Sequence, residues 1–339
     1  MENKGSSQRI RLGVVLLVVI LATLIFILAS GFWKEQPAPD ELRIGLPTQP
    51  TSALIAIAYE KGFFARNGID AKISKYSSGK LAVEALSREE IDMATANQTP
   101  LVFDYLNNAK YKIIATVATS DDILRILARS DRGILSPKDL IGKKVAMQER
   151  SASEFFLNLF LMRYQISREK VIHVHYAPDR MPEAISNGEV DAIVIREPFI
   201  SEAKRLLEDK AVIFSEPSLY TINEVLVLPG SILEKDLGLA SRILKSLIEA
   251  EEFAISNPDK AIKISSKLLN IPERDLADLW PGMHLRISLD QELVYALNEE
   301  SQWAARILKK SPPSRKEIFN FIVEDGLKAL DPNRVALIR

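Results

Sequence analysis

The chain has 339 residues, 47% of them hydrophobic and 26% charged, an ordinary globular composition long enough for about two domains. Its 44 Lys+Arg and 45 Asp+Glu leave a net charge of −1, with no basic excess to hold a phosphate backbone, so nucleic acid is not expected as a partner. It has no cysteine, which excludes disulfides, thiolate zinc sites, iron–sulfur clusters, a cysteine nucleophile and a lipidated N-terminal Cys.

Residues 12–33 form an uncharged run of 22 positions. As a helix this run would be about 33 Å long, enough to cross a bilayer core. Lys4, Arg9 and Arg11 precede it and Trp33 closes it, so residues 1–11 are expected as a cytoplasmic tail with the rest exported. The run exceeds a typical signal-peptide core, which favours a membrane anchor with the large domain in the periplasm or outside the cell. Ala29, Ser30 and Gly31 could still serve as a cleavage site and release the protein to the periplasm. Pro37 and Pro39 make residues 34–40 an extended linker.

Beyond the linker, short apolar strands alternate with amphipathic helices. Strands are expected at 42–46, 71–74, 91–95 and 111–117, with helices at 53–61 and 79–87 between them. A second set follows: strands at 143–147, 171–176 and 191–195, and a helix at 153–164 that carries Phe155, Phe156, Leu159 and Phe160 at helical spacing. This order predicts parallel sheets covered by helices. From about residue 231 the pattern is mainly helical, punctuated at Pro258, Pro272, Pro281 and Pro312–Pro313.

A short internal repeat supports two similar α/β lobes. Residues 85–94, Ala-Leu-Ser-Arg-Glu-Glu-Ile-Asp-Met-Ala, match residues 184–193, Ala-Ile-Ser-Asn-Gly-Glu-Val-Asp-Ala-Ile. Each copy is a helix end, a turn and the start of a buried strand, and each precedes a proline, Pro100 or Pro198.

Open parallel sheets bind ligands beyond the carboxyl ends of their strands. The candidate ligand residues are therefore Thr48 and Gln49, Ser77 and Ser78, Asn97, Gln98 and Thr99, Ser151 and Ser153, and Arg196 and Glu197. Ser77–Ser78 and Ser151–Ser153 sit at expected helix starts, where free N–H groups and the dipole favour an oxyanion; simple N-capping is the commoner use of such serines. Arg196 brings a fixed charge and five donors to the end of its strand. Its alternative use is an ion pair with Glu197 or with an acid across the hinge. His173 and His175, two apart on a strand, share a face, but a metal site would need further ligands. No catalytic triad and no Gly-rich phosphate loop is legible, and no cofactor is expected.

Several segments carry a resemblance. Tyr59-Glu60-Lys61-Gly62-Phe63-Phe64 followed by Asn67-Gly68-Ile69-Asp70, Leu140-Ile141-Gly142-Lys143-Lys144-Val145-Ala146, Gly188-Glu189-Val190-Asp191-Ala192 and Glu197-Pro198-Phe199 occur in the order found in solute-binding proteins of the nitrate/sulfonate/taurine class of ABC importers. The chain resembles that class over roughly residues 41–270. The resemblance implies an α/β, two-lobed type II periplasmic-binding-protein fold with a ligand cleft and hinge closure between the lobes. Lobe one would take 41–120 and 228–339 and lobe two 121–227, with crossovers near 120–130 and 223–230. It also implies a non-enzymatic protein that captures a small organic solute, an anion among the candidates, and delivers it to ABC permease and ATPase subunits. The chain departs from the family pattern at Arg196, where relatives often carry Trp, and at residues 148–153, where many carry a Gly-Ser stretch. The alternatives are a membrane-anchored ligand sensor and an enzyme of the thiamine-pyrimidine type; that enzyme family carries a Cys-rich motif, absent here.

Overall fold

The computed structural model describes residues 40–338. The expected tail, the apolar run 12–33 and the linker up to residue 39 lie outside the described residues. Among the described residues no helix is long and apolar enough to cross a membrane.

Among the described residues twelve strands occur in chain order: β1 (Asp40–Pro47), β2 (Ile69–Tyr76), β3 (Met93–Asn97), β4 (Tyr111–Ser120), β5 (Arg125–Arg129), β6 (Lys144–Met147), β7 (Ile172–His175), β8 (Ala192–Ile195), β9 (Ala211–Phe214), β10 (Ile222–Pro229), β11 (Met283–Asp290) and β12 (Val335–Ala336). They form two sheets. One is ordered β12-β11-β4-β10-β3-β1-β2 and the other β7-β6-β8-β5-β9. The chain passes between them twice, at residues 121–124 and 215–221. Asp121 and Asp122 of the first passage accept hydrogen bonds from Ser218 and Ser215 of the second, so the two connections are laced side by side.

Three expectations need correction. The sheets are mixed rather than parallel: β10 is antiparallel to both β3 and β4, β11 to β4, and β5 to both β8 and β9. Residues 223–230, expected as a crossover, lie almost wholly in β10; Ile222–Leu228 is buried throughout at the centre of the larger sheet. The C-terminal region, expected as mainly helical, also contributes β11 and β12 to that sheet. In each case a strand returns from the other lobe or from a distant helix, and a pairing made at such separation leaves no local periodicity to read.

The repeat corresponds to a shared local construction. Asp92 N–H donates to the Arg43 carbonyl at 2.7 Å, and Arg43 N–H donates back to the Asp92 carboxylate at 3.0 Å. Asp191 and Lys144 make the same pair of bonds at 2.8 and 2.9 Å. In both sheets the repeat thus pins its strand in parallel register beside the lobe's leading strand, Ile44 against Met93 and Val145 against Ala192. The preceding turn is left-handed in both copies, with φ +60° at Glu89 and +75° at Gly188.

Apolar packing holds the frame. Ala53 to Ala58 are all buried in the helix Ala53–Glu60, and Phe156, Leu157, Phe160 and Leu161 anchor Ala152–Arg163. Gly79 opens the helix Gly79–Ser87 directly on β3: a Cβ there would lie 2.6 Å from the Ala96 Cα. Only glycine lets this helix start approach the end of β3, which sets Ser77 and Ser78 beside it.

Candidate functional site

Of the expected residues, Thr48–Gln49, Ser77–Ser78 and Asn97–Thr99 follow β1, β2 and β3, while Ser151–Ser153 and Arg196–Glu197 follow β6 and β8. The carboxyl ends of the parallel strands of both sheets therefore converge on one cleft. Because β10 runs antiparallel to β3, its beginning lies at the same end: Glu224 pairs in register with Asn97. Directly opposed residues share a face, and Thr95 lies one diagonal step away.

Arg196 is buried at 6% exposure, and its Nη2 donates to the Ser77 carbonyl of the other lobe at 3.3 Å. Its Nε has no hydrogen-bond partner. Burial pushes the guanidinium down to about 10, so it remains charged at neutral pH; the opposing influence is Glu224. Glu224 is fully buried, and burial pushes its carboxyl up to about 7 against the pull of Arg196. Thr51 Oγ1 donates to Glu224 Oε2 at 3.2 Å, while Oε1 has no partner. Gln49 and Thr95 lie near enough to favour the ionised carboxylate, yet neither reaches hydrogen-bond geometry, and Gln49 Oε1 and Nε2, Thr95 Oγ1 and Asn97 Oδ1 are likewise unpartnered. Buried polar groups are ordinarily paired, because an unmade hydrogen bond costs roughly 1–3 kcal/mol. So many in one place mark a surface built to bind something polar.

Three cross-lobe contacts close over Ser77 and Ser78. Besides Arg196, Gln148 Nε2 donates to Ser78 Oγ at 2.9 Å and Ser77 Oγ donates to Asp179 at 3.1 Å. Ser78 also caps its helix by accepting from Leu81 N–H. Ser151 and Ser153 shape the loop that carries Gln148. Ser151 Oγ donates to the Gln148 carbonyl at 2.6 Å, and Gln148 N–H donates to Ser153 Oγ at 3.1 Å.

The other expected residues stand aside from this cluster. Thr48 faces a surface groove with Phe199, Ser201 and Asn270, and its hydroxyl donates to the Tyr76 carbonyl. Glu197 accepts from Ser201 N–H in the helix that follows it. Gln98 is satisfied internally: it donates to Glu300 at 2.7 Å and to the Thr221 carbonyl, and accepts from Asn223 N–H. Thr99 bonds the Tyr220 hydroxyl at 2.9 Å. These two residues fasten the second passage between the lobes to the larger one. His173 lies on β7, where burial lowers its pKa, and no group of three or more potential metal ligands occurs among the described residues.

Gln148, Glu224, Thr51, Thr95 and Asp179 belong to this cluster and were missed in the sequence. The available signal for Glu224 was a lone acid in the apolar run 222–228, which becomes informative once that run is placed as a central strand.

A family model described as NMT1/THI5 like matches residues 49–261. The chain belongs to this family. The match includes Gln49, Gln148, Arg196 and Glu224. A putative binding protein of Brucella abortus is 25% identical over 228 residues, covering 66% of this NMT1/THI5-like chain and 70% of the relative. The taurine-binding periplasmic protein of Escherichia coli is 23% identical over 265 residues, covering 75% and 81%. Among solved structures, the alkanesulfonate-binding protein SsuA from Xanthomonas axonopodis pv. citri, bound to MOPS, matches with a TM-score of 0.72 at 18% identity, over 85% of this chain and 100% of that one. The two-sheet architecture of this NMT1/THI5-like protein is thus the periplasmic-binding-protein fold.

Proposed function

We propose that the protein is the solute-binding component of an ABC importer, which captures a small polar organic solute between its lobes and delivers it to permease and ATPase subunits. The observation that carries this reading is the cluster of unpartnered buried polar groups around Arg196 and Glu224, enclosed by Gln148 and Asp179 from one lobe and Ser77 and Ser78 from the other. A group that binds only the native state raises its melting temperature. A thermal-shift screen of alkanesulfonates, taurine, nitrate, amino acids and aminopyrimidines should give at least one solute that raises the melting temperature in proportion to log concentration. With that solute the radius of gyration from small-angle scattering should fall, because the ligand must favour the closed lobes to shift them. A screen without any stabilising solute would sink the reading.

Residues 12–33 are read here as an anchor that keeps the large domain at the outer face of the membrane. The periplasmic names of the relatives agree with export. Full-length protein should remain in the membrane pellet after alkaline carbonate extraction. Recovery in the soluble fraction, shortened by about 30 residues, would make the segment a cleaved signal instead.

A further inference from the structure

We infer that Glu300 is a positioning residue for the hinge: through Gln98 it holds the second passage between the lobes against the larger one, and loss of its proton loosens that passage. Glu300 acts on the passage itself, apart from the solute-binding reading, and the test needs no solute.

One side-chain amide carries the connection. Gln98 Nε2 donates to Glu300 Oε1 at 2.7 Å and to the Thr221 carbonyl at 3.0 Å, and Gln98 Oε1 accepts from Asn223 N–H at 2.8 Å. The end of the passage, the start of β10 and the helix Gln291–Leu308 are thus joined at a single group. Beside it the Thr99 and Tyr220 hydroxyls bond each other at 2.9 Å. Gln98, Thr99, Tyr220 and Glu300 are all buried. The Tyr220 ring meets Phe155 of the smaller lobe edge-on at 5.4 Å, and Phe155 meets Trp303, one turn beyond Glu300, at 5.1 Å. Glu300 therefore lies where the passage and both lobes come together.

No cation acts on Glu300. The helix Gln98–Leu106 offers it the uncharged Gln98 and Thr99, and the passage offers the Tyr220 hydroxyl; the nearest further charge is Glu224, which acts on Tyr220 and has the same sign. Glu300 Oε2 has no hydrogen-bond partner, and both Nε2 hydrogens of Gln98 are already used. An ionised carboxylate here is a buried charge without a counter-ion, a state relieved by admitting water. The element that gives way is the irregular passage, because the two helices beside it are held by Leu101, Val102, Leu297 and Ala304 in the apolar core. Burial holds the carboxyl at about 7 while the passage is packed, and wetting returns it toward 4.5. Between these values the packed form binds more protons than the opened one, so opening becomes easier as pH rises and levels out above 7. From pH 5 to pH 8 the opened fraction should rise by a factor of about ten or more.

Hydrogen exchange followed by mass spectrometry on the full-length chain, at pH 5 and pH 8 and corrected for intrinsic exchange rates, measures this opening. Residues 215–223 include the Asn223 N–H that donates to Gln98, and residues 225–228 report the sheet around it. The expected result is protection of 215–223 lower by a factor of about ten or more at pH 8. That exchange should change little in about 1 M urea, because a local opening exposes little surface, whereas exchange of 225–228 should quicken. In Glu300→Gln, whose amide still accepts from Gln98 but has no proton to lose, protection of 215–223 should be the same at both pH values; a melting temperature at pH 5 close to wild type will verify folding. Equal protection of 215–223 at the two pH values in the wild type overturns the inference, whether or not the variant folds. A response to urea as strong as that of 225–228 also overturns it, since the opening is then global unfolding. So does a pH-dependent loss that persists in Glu300→Gln.

Discussion

Arg196→Ala is expected to weaken solute binding by about 2–5 kcal/mol, the range for removing one member of a desolvated charged contact. The side chain is buried, spans the cleft to the Ser77 carbonyl, and keeps its Nε free. The substitution removes the cation that acts on Glu224 and one of the contacts between the lobes. Arg196→Lys should recover only part of the affinity, because an ammonium can restore the charge but not the planar fork that reaches both the carbonyl and a ligand. Titration calorimetry with a solute found by thermal shift will measure both variants. An alanine variant within about twofold of wild type, well under 1.4 kcal/mol, would remove Arg196 from the site and leave it as a cross-lobe brace.

Glu300→Gln should change how stability varies with pH. Glu300 is fully buried between the helices Gln98–Leu106 and Gln291–Leu308, and burial pushes its carboxyl up to about 7 from an ordinary 4.5, against hydrogen bonds from uncharged neighbours. The folded state therefore holds a proton that the unfolded chain releases near 4.5. Between 4.5 and 7 the native state binds more protons than the unfolded state, so stability falls as pH rises and levels out above 7. At 1.36 kcal/mol per pH unit the change is of the order of 3 kcal/mol. Glutamine keeps an acceptor for Gln98 and cannot ionise. The difference in unfolding free energy between pH 5 and pH 8 should shrink by about that amount in Glu300→Gln, measured by urea denaturation at both pH values. Equal pH dependence in variant and wild type would show that Glu300 does not carry this effect. Glu224 adds a term of the same sign, so the double variant with Glu224→Gln should be flatter still.

Much of the frame was legible in the chain because its causes are local. The strands β1, β3, β6 and β8 and the helices between them follow from short-range periodicity and turn residues. The aspartates of the repeat, Asp92 and Asp191, stand where each lobe needs a carboxylate to lock its strand beside the leading strand, so ten residues of sequence reported a shared construction. Gln49, Ser78, Asn97 and Arg196, candidates at strand ends, lie together in the buried polar cluster, because parallel topology carries all such ends to one side. The same rule swept in Thr48, Gln98, Thr99 and Glu197, whose partners are supplied by Tyr76, Glu300, Tyr220 and Ser201; whether a polar group is already satisfied depends on those partners and not on its place along a strand.

The sequence by itself therefore determined the alternation of elements, two similar lobes, the end of the sheets at which the buried polar cluster lies, and Arg196 as a charge at that end. Only the tertiary structure decided that residues 222–229 are a central strand rather than a connection, and that Glu224 stands in register with Asn97. That pairing joins β10 to β3 across more than one hundred residues, beyond the reach of local pattern. It also decided which polar groups remain unpartnered, because desolvation and hydrogen-bond satisfaction belong to the closed assembly of both lobes and to no segment of the chain alone.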